Sequence, residues 1–312
     1  MRNAPFRIAS LISSATEILY GLELGDSVVG VSHECDYPPE AATKPRLTHS
    51  NVDSEQDSGD IDDQVKDLFT TGAALYEFDR EALIDLRPDV ILTQAQCDVC
   101  AVRYSDVIDF VRNEPALSDT RVIALNPNSL ADVLNDVTRI GQALNITDRA
   151  EVYVRRLQSR VQTVREKSEK IALEQRPRVV CVEWITPLML AANWTPELIE
   201  WAGGRCPLTK AGEHSGYTDW QSVVDFDPEV IIVSPCGFDL PRTIAEAAPI
   251  FQWPHFAELS ATGTGRVFAV DGNAYLNRSG PRLVDSLEIL AHLFHPDAFP
   301  AVASSGWKQL SQ

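Results

Sequence analysis

Asp148–Arg176 reads DRAEVYVRRLQSRVQTVREKSEKIALEQR, and the arrangement of the rest of the chain turns on how this stretch folds. It holds no Gly, and no Pro occurs until Pro177. Val154, Leu157, Val161, Val164 and Ile171 keep to a helical period and predict one apolar face. Thr147 or Asp148 suits the start and Pro177 the stop. At about 1.5 Å per residue the helix is roughly 40 Å long, and it is too polar to cross a bilayer. Taken alone the stretch fits a long core or coiled-coil helix as well as a rigid strut joining two lobes. Its flanks favour the strut.

Before it, strand-like and helix-like runs alternate. Arg7–Ile12 is β-rich, Ser13–Leu24 is an amphipathic helix closed by Gly25, and Val28–Ser32 is a short strand ending in HECDYPP. Asp79–Leu86 reads as a helix and Asp89–Thr93 as an apolar strand buried on both faces. A helix from about Ala101, a strand at Arg121–Leu125 and a helix at Ser129–Leu144 follow.

After the stretch the order returns. DREALIDLRPDVILTQAQC, from Asp79 to Cys97, aligns without gaps on DWQSVVDFDPEVIIVSPCG, from Asp219 to Gly237, at a constant offset of 140. Arg121–Leu125 (RVIAL) has a counterpart in Arg266–Val270 (RVFAV), and Arg7–Leu11 resembles Arg178–Val182. Thr16–Gly25 loosely matches Thr195–Gly204. The expected organisation is an internally duplicated α/β chain: a lobe over 1–146, a linking helix over 147–176 and a second lobe over 177–312, both with mostly parallel sheets.

Composition narrows the partners. The chain has 312 residues, 44% of them hydrophobic, enough for two cores. A net charge of −18 argues against nucleic acid, whose phosphates need basic patches, and against an anionic membrane surface. The acidic run Asp53–Asp63 reads as a solvated loop or helix start. MRNAPFRIASLISSATEIL enters a strand almost at once, without a basic and apolar leader, and no run of about 18 apolar residues occurs. As written, the expected location is cytoplasmic, with mostly reduced cysteines; a removed leader would make it periplasmic or otherwise extracytoplasmic.

Parallel sheets bind ligands beyond the carboxyl ends of their strands. Ser13, Ser14 and Thr16 follow the first strand, opening a helix whose N–H groups suit an anionic or carbonyl group. His33, Glu34, Cys35, Asp36 and Tyr37 follow the second strand. Gln94, Cys97 and Cys100 follow DVILT. In the second half the strand ends lead to Glu183 and Trp184, to Pro235, Cys236 and Gly237, and to Asp271, Asn273, Tyr275, Asn277 and Arg278. Four of six cysteines thus fall at predicted strand ends; Cys181 belongs inside a strand.

Several roles stay open for those thiols. His33, Cys35, Cys97, Cys100 and Cys236 are the residue types of a zinc or iron site, although a second C-x-x-C is missing. Cys97 and Cys100 also have the spacing of a redox dithiol. They equally suit small buried residues shaping a pocket, or thiols touching a ligand's own metal. Trp201 and Trp220 read as packing residues, whereas Trp184 and Trp194 flank TPLMLAAN and are candidates to face a large flat ligand. No G-x-S-x-G, P-loop or H-E-x-x-H is present.

IASLISSATEILYGLELGDSVVGVS, LRPDVIL and FDPEVIIV, together with the more specific HECDYP, QCDVCAV, SPCGFD and DGNAYLNRSGPRLVDSLEIL, resemble the helical-backbone class of ABC-transporter substrate-binding proteins. That class takes vitamin B12 and iron–siderophores, and the likeness runs from about Arg7 to Pro296. It is nearest to a leaderless branch labelled cobalamin-binding. The resemblance implies two Rossmann-like lobes, a linking helix, a small hinge motion and a ligand held between the lobes. Carried over by position, it implies a lining of Ser14, Ala15, Thr16 and Glu17, of His33–Tyr37, of Gln94–Cys100, and of Glu183–Trp184, Cys236–Gly237 and Asn273–Arg278. It further implies a non-enzymatic, monomeric receptor for a corrinoid or other metal chelate, with an ABC permease as partner. The rival expectation is a cytoplasmic metal- or thiol-dependent protein, possibly an enzyme, reusing the scaffold. A third is a degenerate scaffold serving as a partner surface.

Overall fold

A computed structural model describes residues 6–95, 101–300 and 306–311. Its chain divides into two compact units, Met1–Pro127 with Ala131–Arg155, and Asn128–Leu130 with Arg156–Gln312.

In the first unit the elements are β1 (Ile8–Ser10), α1 (Ser13–Gly21), β2 (Val28–Val31), β3 (Thr48–Ser50), α2 (Ser58–Thr71), β4 (Tyr76–Phe78), α3 (Arg80–Leu86), β5 (Val90–Gln94), α4 (Tyr104–Asn113), β6 (Arg121–Leu125), α5 (Leu130–Ala143) and the start of α6 (Thr147–Ser168). The main sheet is parallel, in the order β2-β1-β5-β6. Both faces are buried, as apolar runs such as VIL require. Ile8, Val90 and Leu92 pack with Ile18, Leu19 and Leu22, while Ala9 and Ile91 pack with Leu83 and Val107.

The second unit continues with β7 (Val179–Trp184), β8 (Met189–Leu190), α7 (Thr195–Trp201), β9 (Gly216–Tyr217), α8 (Trp220–Phe226), β10 (Val230–Val233), α9 (Leu240–Ala247), α10 (Ser260–Gly263), β11 (Val267–Val270), α11 (Leu283–Phe294) and β12 (Trp307–Gln309). Its sheet runs β12-β11-β10-β7-β8-β9. β7, β10 and β11 are parallel neighbours, the arrangement of β1, β5 and β6. β8, β9 and β12 are antiparallel additions.

The duplication extends to single caps. Asp79 accepts the Ala82 N–H at 2.9 Å to start α3, and Asp219 accepts the Ser222 N–H at 2.9 Å to start α8. Both helices close on a left-handed residue, Arg87 (φ 42°) and Asp227 (φ 50°). A parallel strand follows each.

The long helix departs from expectation at its end. α6 stops at Ser168, and a 3-10 turn at Leu173–Gln175 covers part of the remainder. Ser168 Oγ donates to the Arg165 carbonyl at 3.0 Å and the Trp201 carbonyl at 2.6 Å. Arg176 donates to the Ser168 and Ile171 carbonyls. The Arg176 side chain therefore takes the Ser168 carbonyl that a further helical turn would have used. The boundary between units falls inside α6, at Arg155/Arg156, rather than at its ends as the 147–176 linker implied. Asn128–Leu130 joins the second unit, where the Leu130 N–H donates to Glu197 Oε1 at 2.7 Å.

Gly141 is where α5 meets the first turns of α6. A Cβ there would overlap the Ala150 methyl. Gly141→Ala is expected to destabilise by about 1–2 kcal/mol, overpacking outweighing the helix preference of Ala. Thermal unfolding of the two forms checks this; an equal or higher midpoint for the variant contradicts it.

Candidate functional site

In the first unit the start of α1 is inward-looking. Ser13, Ser14, Ala15, Thr16 and Glu17 are all buried. Thr16 Oγ1 donates to Ser10 Oγ at 2.8 Å and shares a 3.1 Å hydrogen bond with Cys35 Sγ. Ser14 Oγ has no hydrogen-bond partner among the described residues.

Cys35 is 0% exposed within the first unit's core. As a ligand to a metal in an open cleft it is therefore corrected: the Ser32–Cys35 turn folds its thiol back onto Thr16. Cys97 and Cys100 lie outside the described residues. Cys236 is exposed, and among the described residues no group of three or more His, Cys, Asp or Glu could hold a metal ion. The zinc or iron site expected at the cysteines has no support here. Cys181 is buried, as its place in β7 implied.

His33 is positioned by a small polar network. Thr48 Oγ1 accepts the His33 backbone N–H at 3.0 Å and donates to Ser32 Oγ at 3.1 Å. With the hydroxyl proton committed, His33 Nδ1, 2.6 Å from Thr48 Oγ1, must donate, and Nε2 carries the lone pair. Burial lowers the imidazole pKa, helped by His49 and Arg46. His33 is thus a neutral acceptor beside the Tyr76 ring, whose centroid lies 5.6 Å away. Glu34 is half-buried, its N–H 3.4 Å from Ser32 Oγ; Asp36 and Tyr37 are exposed, and Gln94 is buried at the end of β5.

In the second unit Glu183 and Trp184 end β7. Pairing with β8 runs Val182↔Leu190 and Trp184↔Met189, so Glu183 is the extra residue of a β-bulge, a device that re-aims side chains near sites. Ser215 Oγ accepts the Ala192 N–H at 2.9 Å and donates to Glu183 Oε2 at 2.8 Å. Burial pushes the Glu183 carboxyl up to about 7, against the opposing pull of the Ser215 hydroxyl. Cys236 N–H donates to the Glu183 carbonyl at 3.1 Å, and Gly237 turns the chain at φ 78°. The turn sets Phe238 5.3 Å from the Trp184 ring, tilted by 56°. The Arg242 guanidinium covers Phe238 at 3.6 Å.

Trp194 needs correction. It is 6% exposed, and its Nε1–H donates to the Leu276 carbonyl at 2.6 Å. The indole therefore fastens the start of α7 to the Asn273–Arg278 loop instead of facing a ligand. That loop is braced internally: Arg278, buried, donates to Asn273 Oδ1 at 2.6 Å, Asn277 Nδ2 donates to the Ser234 carbonyl at 2.7 Å, and the Tyr275 N–H donates to the Asp271 carbonyl at 3.1 Å.

Sequence reasoning missed Ser215, Phe238 and Arg242. Phe238 stands inside the quoted SPCGFD, so its motif was visible while its pairing with Trp184 was not. Ser215 lies in an aperiodic loop that carries no signal.

A family model described as periplasmic binding protein matches residues 8–274. The ABC transporter substrate-binding lipoprotein YvrC of Bacillus subtilis is 24% identical over 304 residues, covering 96% of this chain and 83% of the relative. The vitamin B12-binding protein BtuF of Vibrio cholerae has a TM-score of 0.68 at 21% identity, covering 95% of this chain and 99% of that one. A periplasmic heme-binding protein from Pseudomonas aeruginosa reaches a TM-score of 0.74 at 18% identity, covering 99% of both chains. Relatives titled lipoprotein and periplasmic give the cytoplasmic expectation no support. No helix among the described residues is long and apolar enough to cross a membrane. With most of its length matched, the chain belongs to the periplasmic binding protein family, the substrate-binding proteins of ABC transporters and not enzymes.

Proposed function

We propose that this chain is a receptor for a corrinoid of the cobalamin type, or a related metal chelate, which it passes to an ABC permease. The observation that carries the reading is the end of β7: the part-exposed Trp184 ring, backed by the buried Phe238 ring 5.3 Å away, beside the Glu183 carboxyl. A large macrocycle offers apolar area for the Trp184 ring and a polar rim for a few oriented groups. The relatives titled vitamin B12-binding and heme-binding support the ligand class. Charge favours the corrinoid within it. A net charge of −18 repels the carboxylates of heme, whereas a corrinoid carries an amide rim.

Titration of cyanocobalamin into the full chain, followed by calorimetry and tryptophan fluorescence, tests the proposal, with hemin as comparison. Saturable binding is expected, and Trp184→Ala should weaken it by roughly 30-fold, the loss typical of a central aromatic anchor. Absence of binding by either compound at roughly 100 μM, a level that detects interactions of about 5–6 kcal/mol, would overturn the reading.

A further inference from the structure

On the reading of the chain as a corrinoid receptor, the least explained group in the second unit is Glu183. It sits at the carboxyl end of β7, as the extra residue of the bulge against β8. One carboxyl oxygen is spoken for. Ser215 takes the Ala192 N–H and must therefore give its own proton to Glu183 Oε2. Oε1 has no hydrogen-bond partner among the described residues. A part-buried carboxyl held this way, next to Trp184, is oriented before any ligand arrives.

Among the described residues no cation acts on its carboxyl. Along β7 the nearest titratable group is the Cys181 thiol, itself pushed well up by burial. The turn after β10 brings Cys236, whose backbone N–H meets the Glu183 carbonyl. The Ser215 loop brings Glu213, 3.5 Å from Lys210, and His214; β9 brings Tyr217. At the start of α9, Asp239 accepts the Arg242 N–H, and the Arg242 guanidinium lies over Phe238. The paired strand β8 contributes only Met189 and Leu190. Burial is the chief cause acting on the Glu183 carboxyl, and it favours the neutral form up to about 7.

We infer that Glu183 engages the ligand as a neutral acid, with Oε1–H donating to a carbonyl oxygen on the ligand's rim, so that capture tightens on acidification and loosens as pH rises. An ionised Glu183 would set a carboxylate against that carbonyl, with neither group able to donate. The corrinoid amide rim supplies such carbonyl acceptors; contact through its N–H groups instead would make binding tighten as pH rises, and that outcome overturns the inference. A receptor of this design releases ligand when its surroundings turn alkaline.

The test is calorimetry of cyanocobalamin binding to the full chain from about pH 6 to about pH 8, where one essential proton predicts a Kd roughly tenfold weaker at the upper end. In Glu183→Gln the amide donates at every pH, so its Kd should stay constant. Ser215→Ala removes the bond that favours ionisation and should move the midpoint of the wild-type slope upward. A flat wild-type profile, a slope that survives in Glu183→Gln, or an unmoved midpoint in Ser215→Ala overturns the inference and leaves the receptor reading standing. No binding by the wild type at any pH overturns both.

Discussion

Glu183→Gln is expected to leave the unfolding free energy near its wild-type value at about pH 4.5 and to raise it by about 2–3 kcal/mol at about pH 8. In the folded protein burial raises the Glu183 carboxyl from 4.5 to about 7. Between those values the native state holds a proton that the unfolded chain has released. Stability is therefore fully present below the unfolded value and is lost as pH rises through the folded one. At 1.36 kcal/mol per pH unit the full cost is roughly 3 kcal/mol, reduced because water reaches part of the side chain. Gln has no charge to desolvate, and its carbonyl still accepts the Ser215 proton. Urea unfolding of both proteins at the two pH values isolates the effect, since every other titrating group cancels in the difference. A gain of equal size at both would mean that packing, rather than ionisation, separates them.

The readings that held rest on local rules with a physical mechanism. An Asp ahead of each short helix and an apolar run after it predicted α3–β5 and α8–β10 alike, because caps and buried parallel strands are written in neighbouring residues. The apolar face of the long helix was equally plain, with Leu157, Val161 and Val164 buried. Its stop was not. At that stop Ser168 donates to the Trp201 carbonyl, 33 positions away in sequence, and Arg176 takes the Ser168 carbonyl. Position past a strand also failed to separate ligand-facing from self-satisfied groups. Cys35, chosen for its place past a strand, and Trp194, chosen for flanking TPLMLAAN, both turn inward to partners, Thr16 and the Leu276 carbonyl, that no spacing announces. Glu183 was found for its place alone. The bulge that sets it apart and the Ser215 hydroxyl that orients it come from pairing with β8 and an irregular loop.

Arg160→Met is expected to cost about 2–3 kcal/mol of stability, the second large effect. Arg160 sits mid-way along α6, on the side of the boundary that belongs to the second unit. Its Nε and Nη2 donate to the two Glu288 oxygens at 2.9 and 2.6 Å, and Nη2 also reaches Asp285. Asp285 and Glu288 stand one turn apart on α11, the helix whose Leu283, Val284, Leu287 and Leu290 are wholly buried. These bonds hold the guanidinium proton more tightly than usual, Glu288 first. Met keeps much of the side-chain volume but leaves two like charges adjacent and unneutralised. Arg160 is 36% exposed and Asp285 33%, so water softens the loss below the roughly 3–5 kcal/mol of a fully buried pair. The attribution to charge is separable from packing. Adding Asp285→Asn and Glu288→Gln to Arg160→Met removes the repulsion without restoring the guanidinium, and should recover most of the lost stability. If the triple variant stays as weak as Arg160→Met, then the fork of hydrogen bonds itself, rather than neutralisation of the α11 carboxylates, fastens this half of the helix to its unit.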